Sequence, residues 1–145
     1  MKIQEITNFD LTIQEHVNKF LTQLTNQNKK INCNNIKEII SDNNSHLFFA
    51  IHDESKYMGM ITVGFYISPT GKKSWIEDVV VVDEYRRNGI GNKLMEFAIQ
   101  FAKEQKAATL MLTSNPTRIA ANLLYQKLDF QQKETNVYLM QFENH

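Results

Sequence analysis

The sequence is poor in the residues that staple or punctuate a chain: it holds one cysteine, two prolines and five glycines. The lone Cys33 permits no intrachain disulfide, and a cysteine-based zinc site would have to recruit three ligands of other kinds. A plain thiol in a reducing compartment is the expectation. Charge of one sign is lacking too, because 16 basic residues balance 16 acidic ones for a formal net charge of +0. That balance removes the broad attraction that non-specific nucleic-acid or anionic-membrane binding needs, so neither is expected as a partner. No apolar run approaches the ~20 residues of a membrane span, and residues 1–10 carry neither a signal-peptide core nor a lipidation motif. A cytoplasmic protein is expected. His16, His46, His52 and His145 show no ligand or triad spacing, and no metal is expected. Arginine is scarce: Arg86, Arg87 and Arg118 stand among many lysines, which points to places where a planar fork matters, as in phosphate binding.

What is present suits one folded domain. A chain of 145 residues, 42% hydrophobic, is long enough for a real core and short for two domains of ordinary size. Residues 2–7 alternate enough for a short strand. Ile13, Val17, Phe20, Leu21 and Leu24 then recur at helical spacing. Residues 26–35 are polar and read as a loop, followed by a short helix carrying Ile36, Ile39 and Ile40. Residues 42–45 have turn chemistry. Neither glycine nor proline occurs before Gly59.

Three consecutive antiparallel strands are expected at 46–52, 58–68 and 73–82, joined by hairpin-length turns. The third holds four successive valines, and a run apolar on both faces belongs at a sheet centre. Ile90, Leu94, Phe97, Ala98 and Phe101 define an amphipathic helix to about residue 106, and 109–113 is a short buried strand. Strand, helix, strand predicts parallel pairing by a right-handed crossover, so strands 79–82 and 109–113 should be neighbours. A helix over 118–128 would bury Ala120, Leu123, Leu124 and Leu128, and 130–142 would close the chain as extended structure with a bend at 135–136.

The stretch from 75 to 91 draws these elements together. Arg86-Arg87-Asn88-Gly89-Ile90-Gly91 lies between a buried strand and a helix start. Glycines there let the backbone approach a ligand, while the unpaired N–H groups of the first helical turn present partial positive charge. Such a terminus favours phosphate or pyrophosphate. Local charge agrees: Arg86, Arg87, Lys93, Lys103 and Lys106 stand against Glu96 and Glu104. A Walker loop needs Gly-x-x-x-x-Gly-Lys-Ser/Thr, which is absent, and a dinucleotide fingerprint needs glycine where Leu94 stands.

Arg86-x-x-Gly89-x-Gly91, after a valine-rich strand and opening a helix, resembles the acyl-CoA pyrophosphate loop of the GCN5-related N-acetyltransferase (GNAT) superfamily. Residues 121–130, Ala-Asn-Leu-Leu-Tyr-Gln-Lys-Leu-Asp-Phe, are similar to that family's A-x-x-L-Y-x-K-x-G-F signature. The resemblance implies an α/β (α+β) single-domain fold over 1–145, with a mixed central sheet, a splayed parallel strand pair and flanking helices. It implies acetyl-CoA as acyl donor, lodged where the strands part. The backbone of Val79, Val80 and Val81 would hold the thioester carbonyl and pantetheine amides. The amides from Arg87 through Asn88, Gly89, Ile90 and Gly91 to Asn92 would cradle the pyrophosphate, with Arg86 and Arg87 acting on the phosphates.

An amine attacking a thioester must first lose a proton, because an ammonium has no lone pair. Glu77, two residues before the valines, is the candidate base, directly or through a water, and Asp78 should point to the opposite strand face. Tyr125 matches the family tyrosine that protonates the departing thiolate, and Arg118, Ala121, Asn122 and Tyr125 would share one helix face. Two positions depart from the family pattern. Asp129 replaces the signature glycine, so the helix exit must find another way to turn, and aspartate tolerates that conformation better than most residues. Arg118 stands where an asparagine is usual, leaving either Asn115 or Arg118 to make its cofactor contact. The function expected is acetyl transfer to a primary amine, of a small molecule or a protein, in a ternary complex. The alternatives are a glucosamine-6-phosphate N-acetyltransferase-like enzyme, with Lys72 and Lys73 near the sugar phosphate, and a non-catalytic acetyl-CoA sensor. The family often pairs its C-terminal strand across a homodimer, which is expected here too.

Overall fold

The computed structural model of the chain describes residues 1–25, 31 and 33–143. Most of the polar stretch 26–35, the Cys33 side chain and His145 lie outside the described residues. Two compact units are present, 1–113 and 114–145.

In the first unit a five-stranded sheet runs in the order β1 (Lys2–Glu5), β2 (Ser45–His52), β3 (Lys56–Ser68), β4 (Gly71–Val81), β5 (Thr109–Met111). The first four strands are antiparallel, and β5 joins β4 in parallel after the crossover helix α3 (Ile90–Glu104). The polar step 42–45 ends helix α2 (Cys33–Ser41) as an Asx turn. Asp42 Oδ1 accepts from Asn44 N at 2.9 Å and Oδ2 from the Ser45 hydroxyl at 2.9 Å.

The alternation of β2 assigns its side chains to two cores. Leu47, Phe49 and Ile51 join Met60, Val80 and Val82 beneath α2 and helix α1 (Leu11–Thr25), which contribute Ile13, Val17, Phe20 and Ile36. Asp10 starts α1 as an N-cap, its Oδ1 accepting from Ile13 N at 2.8 Å. Phe20 is fully buried, edge-on to Phe49 with ring centres 5.5 Å apart. On the other face Phe48 meets Phe97 and Phe101 of α3 at 4.8 and 5.0 Å, and His46 lies against Phe101 while its Nδ1 pairs with Glu5 Oε2 at 2.9 Å.

Three expectations need correction. β5 pairs with β4 at Lys73–Thr109, Ser74–Leu110 and Trp75–Met111, so its neighbours are the start of β4 and not the valines. The cause is divergence: beyond Trp75 the two strands part, and no strand among the described residues pairs with 76–81 on that side. Strict alternation through Glu77 and Asp78 fails as well. Thr62 faces Glu77 but Met60 faces Val80, so Asp78 and Val79 together stand opposite Ile61. That is a β-bulge, and Asp78 sits in it with a left-handed φ of 51°. The bulge shifts parity by one residue, which is why Val80 and Val82 share the α1 side with Glu77's neighbour Thr62.

The third correction lies in the second unit, where helix α4 spans Ile119–Lys127. It buries none of its residues: Ile119 and Leu123 are 70% and 59% exposed, and Ala120 is exposed, so the leucines form no core face there. Its exit answers the missing glycine. Asp129 itself takes the left-handed conformation, φ 71°, while its N–H donates to Gln126 O and the Phe130 N–H to Tyr125 O, each at 3.0 Å. These are the two bonds of a Schellman motif, and the Phe130 ring sits 6.2 Å from Tyr125 as its apolar contact. Residues 130–143 carry no helix or strand, with a bend at Glu134.

Candidate functional site

In the first unit the named residues form one continuous path from Glu77 to Asn92. Glu77 and Asp78 are both exposed on the bulged part of β4. The Glu77 carboxyl is pushed above its ordinary range, first because surrounding protein strips water from it and then because the Asp78 carboxylate lies beside it. A side chain that still reaches solvent but resists ionisation is suited to accept a proton near neutral pH.

After the bulge the backbone of β4 has a defined polarity. Val82 N–H donates to Met58 O at 2.8 Å, so this pair faces β3. Alternation in an antiparallel pair then turns the Val81 amide and carbonyl away from β3, towards the side that β5 has left, while Val79 lies within the bulge itself. Val80 instead places its side chain in the core. On this open edge lies a residue that periodicity could not reveal. The Gln23 carboxamide of α1 donates from Nε2 to Val81 O, and its Oε1 accepts from Asp83 N at 3.0 Å. In the sequence Gln23 is one polar residue on an amphipathic helix, and nothing there marks it.

A 3₁₀ turn, Asp83–Tyr85, carries the chain into the glycine turn. Arg86 is extended and Arg87 is left-handed at φ 68°. Gly89 is left-handed at φ 75° and caps α3 with no side-chain bond. Glycine bears that φ at no steric cost, whereas Arg87 does not. The first helical bond of α3 is Lys93 N to Gly89 O at 3.1 Å, so the N–H groups of Ile90, Gly91 and Asn92 have no partner within the helix. Arg86, Arg87 and Asn88 are exposed beside them, and Arg86 Nε pairs with Asp83 Oδ1 at 3.1 Å. The turn thus sets three amides without helical partners beside two exposed arginines, a set suited to an anion with several oxygens.

The remaining candidates belong to the second unit. Arg118 is the N-cap of α4, its ψ of 74° lying outside the helical range, so it precedes the helix face it was expected to share. Asn115 Oδ1 accepts from Thr117 N and from the Thr117 hydroxyl, both at 2.9 Å. The Asn122 amide donates to Asn115 O and Arg118 O at 2.9 and 2.7 Å, tying the loop to the helix. Tyr125 is partly buried on α4. Among the described residues, no group of three or more His, Cys, Asp or Glu side chains is arranged to hold a metal ion, and no helix is long and apolar enough to cross a membrane.

The chain is 40% identical over 55 residues to streptothricin acetyltransferase A of Bacillus subtilis (strain 168), a match covering 38% of this chain and 32% of that protein. It is 28% identical over 96 residues to N-acetyltransferase 8 of Homo sapiens, covering 65% of this chain and 42% of the other. The chain therefore matches less than half the length of either relative. Its fold superposes on that of an aminoglycoside acetyltransferase from an uncultured soil metagenomic sample with a TM-score of 0.84 at 20% identity, covering 99% of this chain and 96% of that one. The profile of the acetyltransferase (GNAT) family matches residues 10–130, across the bulged strand, the glycine turn and α4, and the chain belongs to that family.

Proposed function

We propose that the protein transfers an acetyl group from acetyl-CoA to a primary amine by direct attack. The observation that carries this reading is the unbroken run from Glu77 to Asn92. There a strand edge with the Val81 amide and carbonyl turned outward leads directly into a helix N-terminus whose first three N–H groups lack helical partners. Val79 and Val81 would bond the amides of the pantetheine arm as a neighbouring strand would. The turn from Arg87 to Asn92 would hold the pyrophosphate, with Arg86 leaving Asp83 to assist. Val80 contributes through its position in the core, which fixes the edge.

In the reaction Glu77 accepts a proton from the incoming ammonium, directly or through a water, and the freed amine nitrogen attacks the thioester carbon. The new C–N bond forms as the C–S bond breaks, and the Tyr125 hydroxyl protonates the departing thiolate. The tyrosine's role rests on its place in the family signature. Asn115 and Arg118 are the residues proposed for the contact of the missing family asparagine. The Asn115 carboxamide oxygen is already engaged by Thr117, which leaves Arg118 the freer side chain.

The relatives named for streptothricin and aminoglycoside acetylation favour a small-molecule amine over a protein as acceptor. The sugar-phosphate alternative loses ground. Lys72 Nζ donates to Gln105 O at 2.9 Å over the Phe65 ring, and Lys73 lies over Tyr66. We also propose one domain over 1–145, a cytoplasmic location and a homodimer through the C-terminal stretch, where Val137, Tyr138, Leu139, Met140 and Phe142 are exposed. A monomer mass by light scattering at micromolar concentration would count against the dimer.

Calorimetry with acetyl-CoA, followed by thiol release against a panel of amines, tests the function. Binding with turnover on at least one amine is expected. Tight binding with no turnover on any amine would favour a sensor. Tyr125→Phe should lower turnover at least tenfold with cofactor affinity nearly unchanged, and unaltered thiol release would remove the proposed acid.

A further inference from the structure

The open edge of β4 is already paired at one point, by a side chain of the same unit. In a parallel ladder, the neighbour of a residue bonds the carbonyl before it and the amide after it. Around Val82 those groups are Val81 O and Asp83 N, and the Gln23 carboxamide takes both. A primary carboxamide offers the same donor and acceptor as a peptide group, so Gln23 stands in for one residue of a missing strand. Its partner Asp83 also holds Arg86 Nε at 3.1 Å. One residue thus touches both the filled slot and the loop arginine.

We propose that Gln23 is a reversible occupant of the slot for the cofactor's amide-bearing arm, and that it must swing out before that arm can pair with Val81. This rests on the reading of the β4 edge as the arm's docking strand. Gln23 is then a positioning residue. It keeps two backbone groups bonded that would otherwise be only partly solvated at the end of a half-buried strand, and it sets a threshold that only a ligand bearing its own amide can cross. The helix stem of α1 stays packed through Phe20 and Val17, so the movement needs only side-chain rotation of Gln23.

The test compares the full chain with Gln23→Ala and with Gln23→Met, which keeps the aliphatic stem and removes the amide. Two ligands are titrated by calorimetry: acetyl-CoA, and adenosine 3′,5′-bisphosphate, a fragment of the cofactor that lacks the arm and one phosphate of the pyrophosphate. Both variants should bind acetyl-CoA about tenfold more tightly, the order expected when two neutral hydrogen bonds no longer have to be broken. Affinity for the bisphosphate should be unchanged, because that fragment does not reach Val81. Equal or weaker acetyl-CoA binding by the variants overturns the proposal alone, as does equal tightening for both ligands. Absence of acetyl-CoA binding by every protein overturns it together with the reading of the site. Failure of both variants to fold would make the carboxamide a structural strut and overturn the occupant role.

Discussion

Replacing Gly59 by alanine should damage the molecule through one contact that can be worked out in advance. Gly59 lies on β3 opposite Val81, and a Cβ there would stand 2.4 Å from Val80 O and 3.3 Å from Val81 Cα. Carbon and oxygen in van der Waals contact sit about 3.2 Å or more apart, so the overlap is about 0.8 Å, and it falls on backbone that no rotamer change can move. Leu94 Cδ1 of α3 lies 3.4 Å away on the same side, which closes the easy escape. The strands must separate locally, at about 1–3 kcal/mol for overpacking of this kind. For a chain of this length that corresponds to a fall in thermal midpoint of about 2–10 °C. Gly64→Ala is the internal control. It lies on the same strand, and its Cβ would meet nothing nearer than Asn44 O at 3.9 Å. That variant should be neutral, or more stable by about 0.5 kcal/mol through loss of unfolded-state freedom. Thermal unfolding followed by circular dichroism measures both. Equal midpoints for the two variants would refute the packing argument, and with it the idea that Gly59 admits the Val80 carbonyl.

Glu77→Gln should remove the acidic limb of the pH–rate profile, since the wild-type rate rises as the raised carboxyl ionises. The same shift has a stability sign: a carboxyl whose folded pKa is raised stabilises fully below its ordinary value of 4.5, and this is lost as pH rises through the folded pKa. Glu77→Gln should therefore match wild type in unfolding midpoint at pH 4 and exceed it at pH 7, and a gap of opposite sign would sink the argument. At the exit of α4, Asp129→Gly should hold or raise stability whereas Asp129→Val loses about 1–2 kcal/mol, read as hydrogen-exchange protection of α4. Phe48→Ala should cost about 3–5 kcal/mol in a denaturant melt, because Phe48 is 2% exposed and meets two rings of α3.

Among the described residues the alternating and helical patterns located the strands of the sheet and helices α1 to α3 to within a few residues, because burial on one face writes its period into the chain; α4 was located too, although it buries none of its residues. The glycine turn was legible for a related reason, since Gly89 marks a left-handed position directly. Asp129 was legible as a deviation at a residue type that tolerates the left-handed region, and aspartate does occupy the glycine's conformation with the bonds of the motif intact. The bulge at Asp78 left no such mark. Aspartate is not a required bulge residue, and the valines after it are apolar in either parity. The place where β5 leaves β4 was hidden too, because side chains report burial and not which backbone edge is paired. Gln23 belongs to the same class: its partners are main-chain atoms 58 and 60 residues away.

Four identical side chains in succession at 79–82 carry no information about their own alignment. A strand slipped by one residue would present valine wherever valine is wanted, so the run tolerates misregistration that a mixed sequence would reject. The correct alignment must be set from outside the run. Gly59 does so from across the ladder, because a Cβ at that position would stand 2.4 Å from Val80 O and only glycine leaves the space open. A single hydrogen atom in place of a side chain thus acts as the index mark that tells a repetitive strand where to stop.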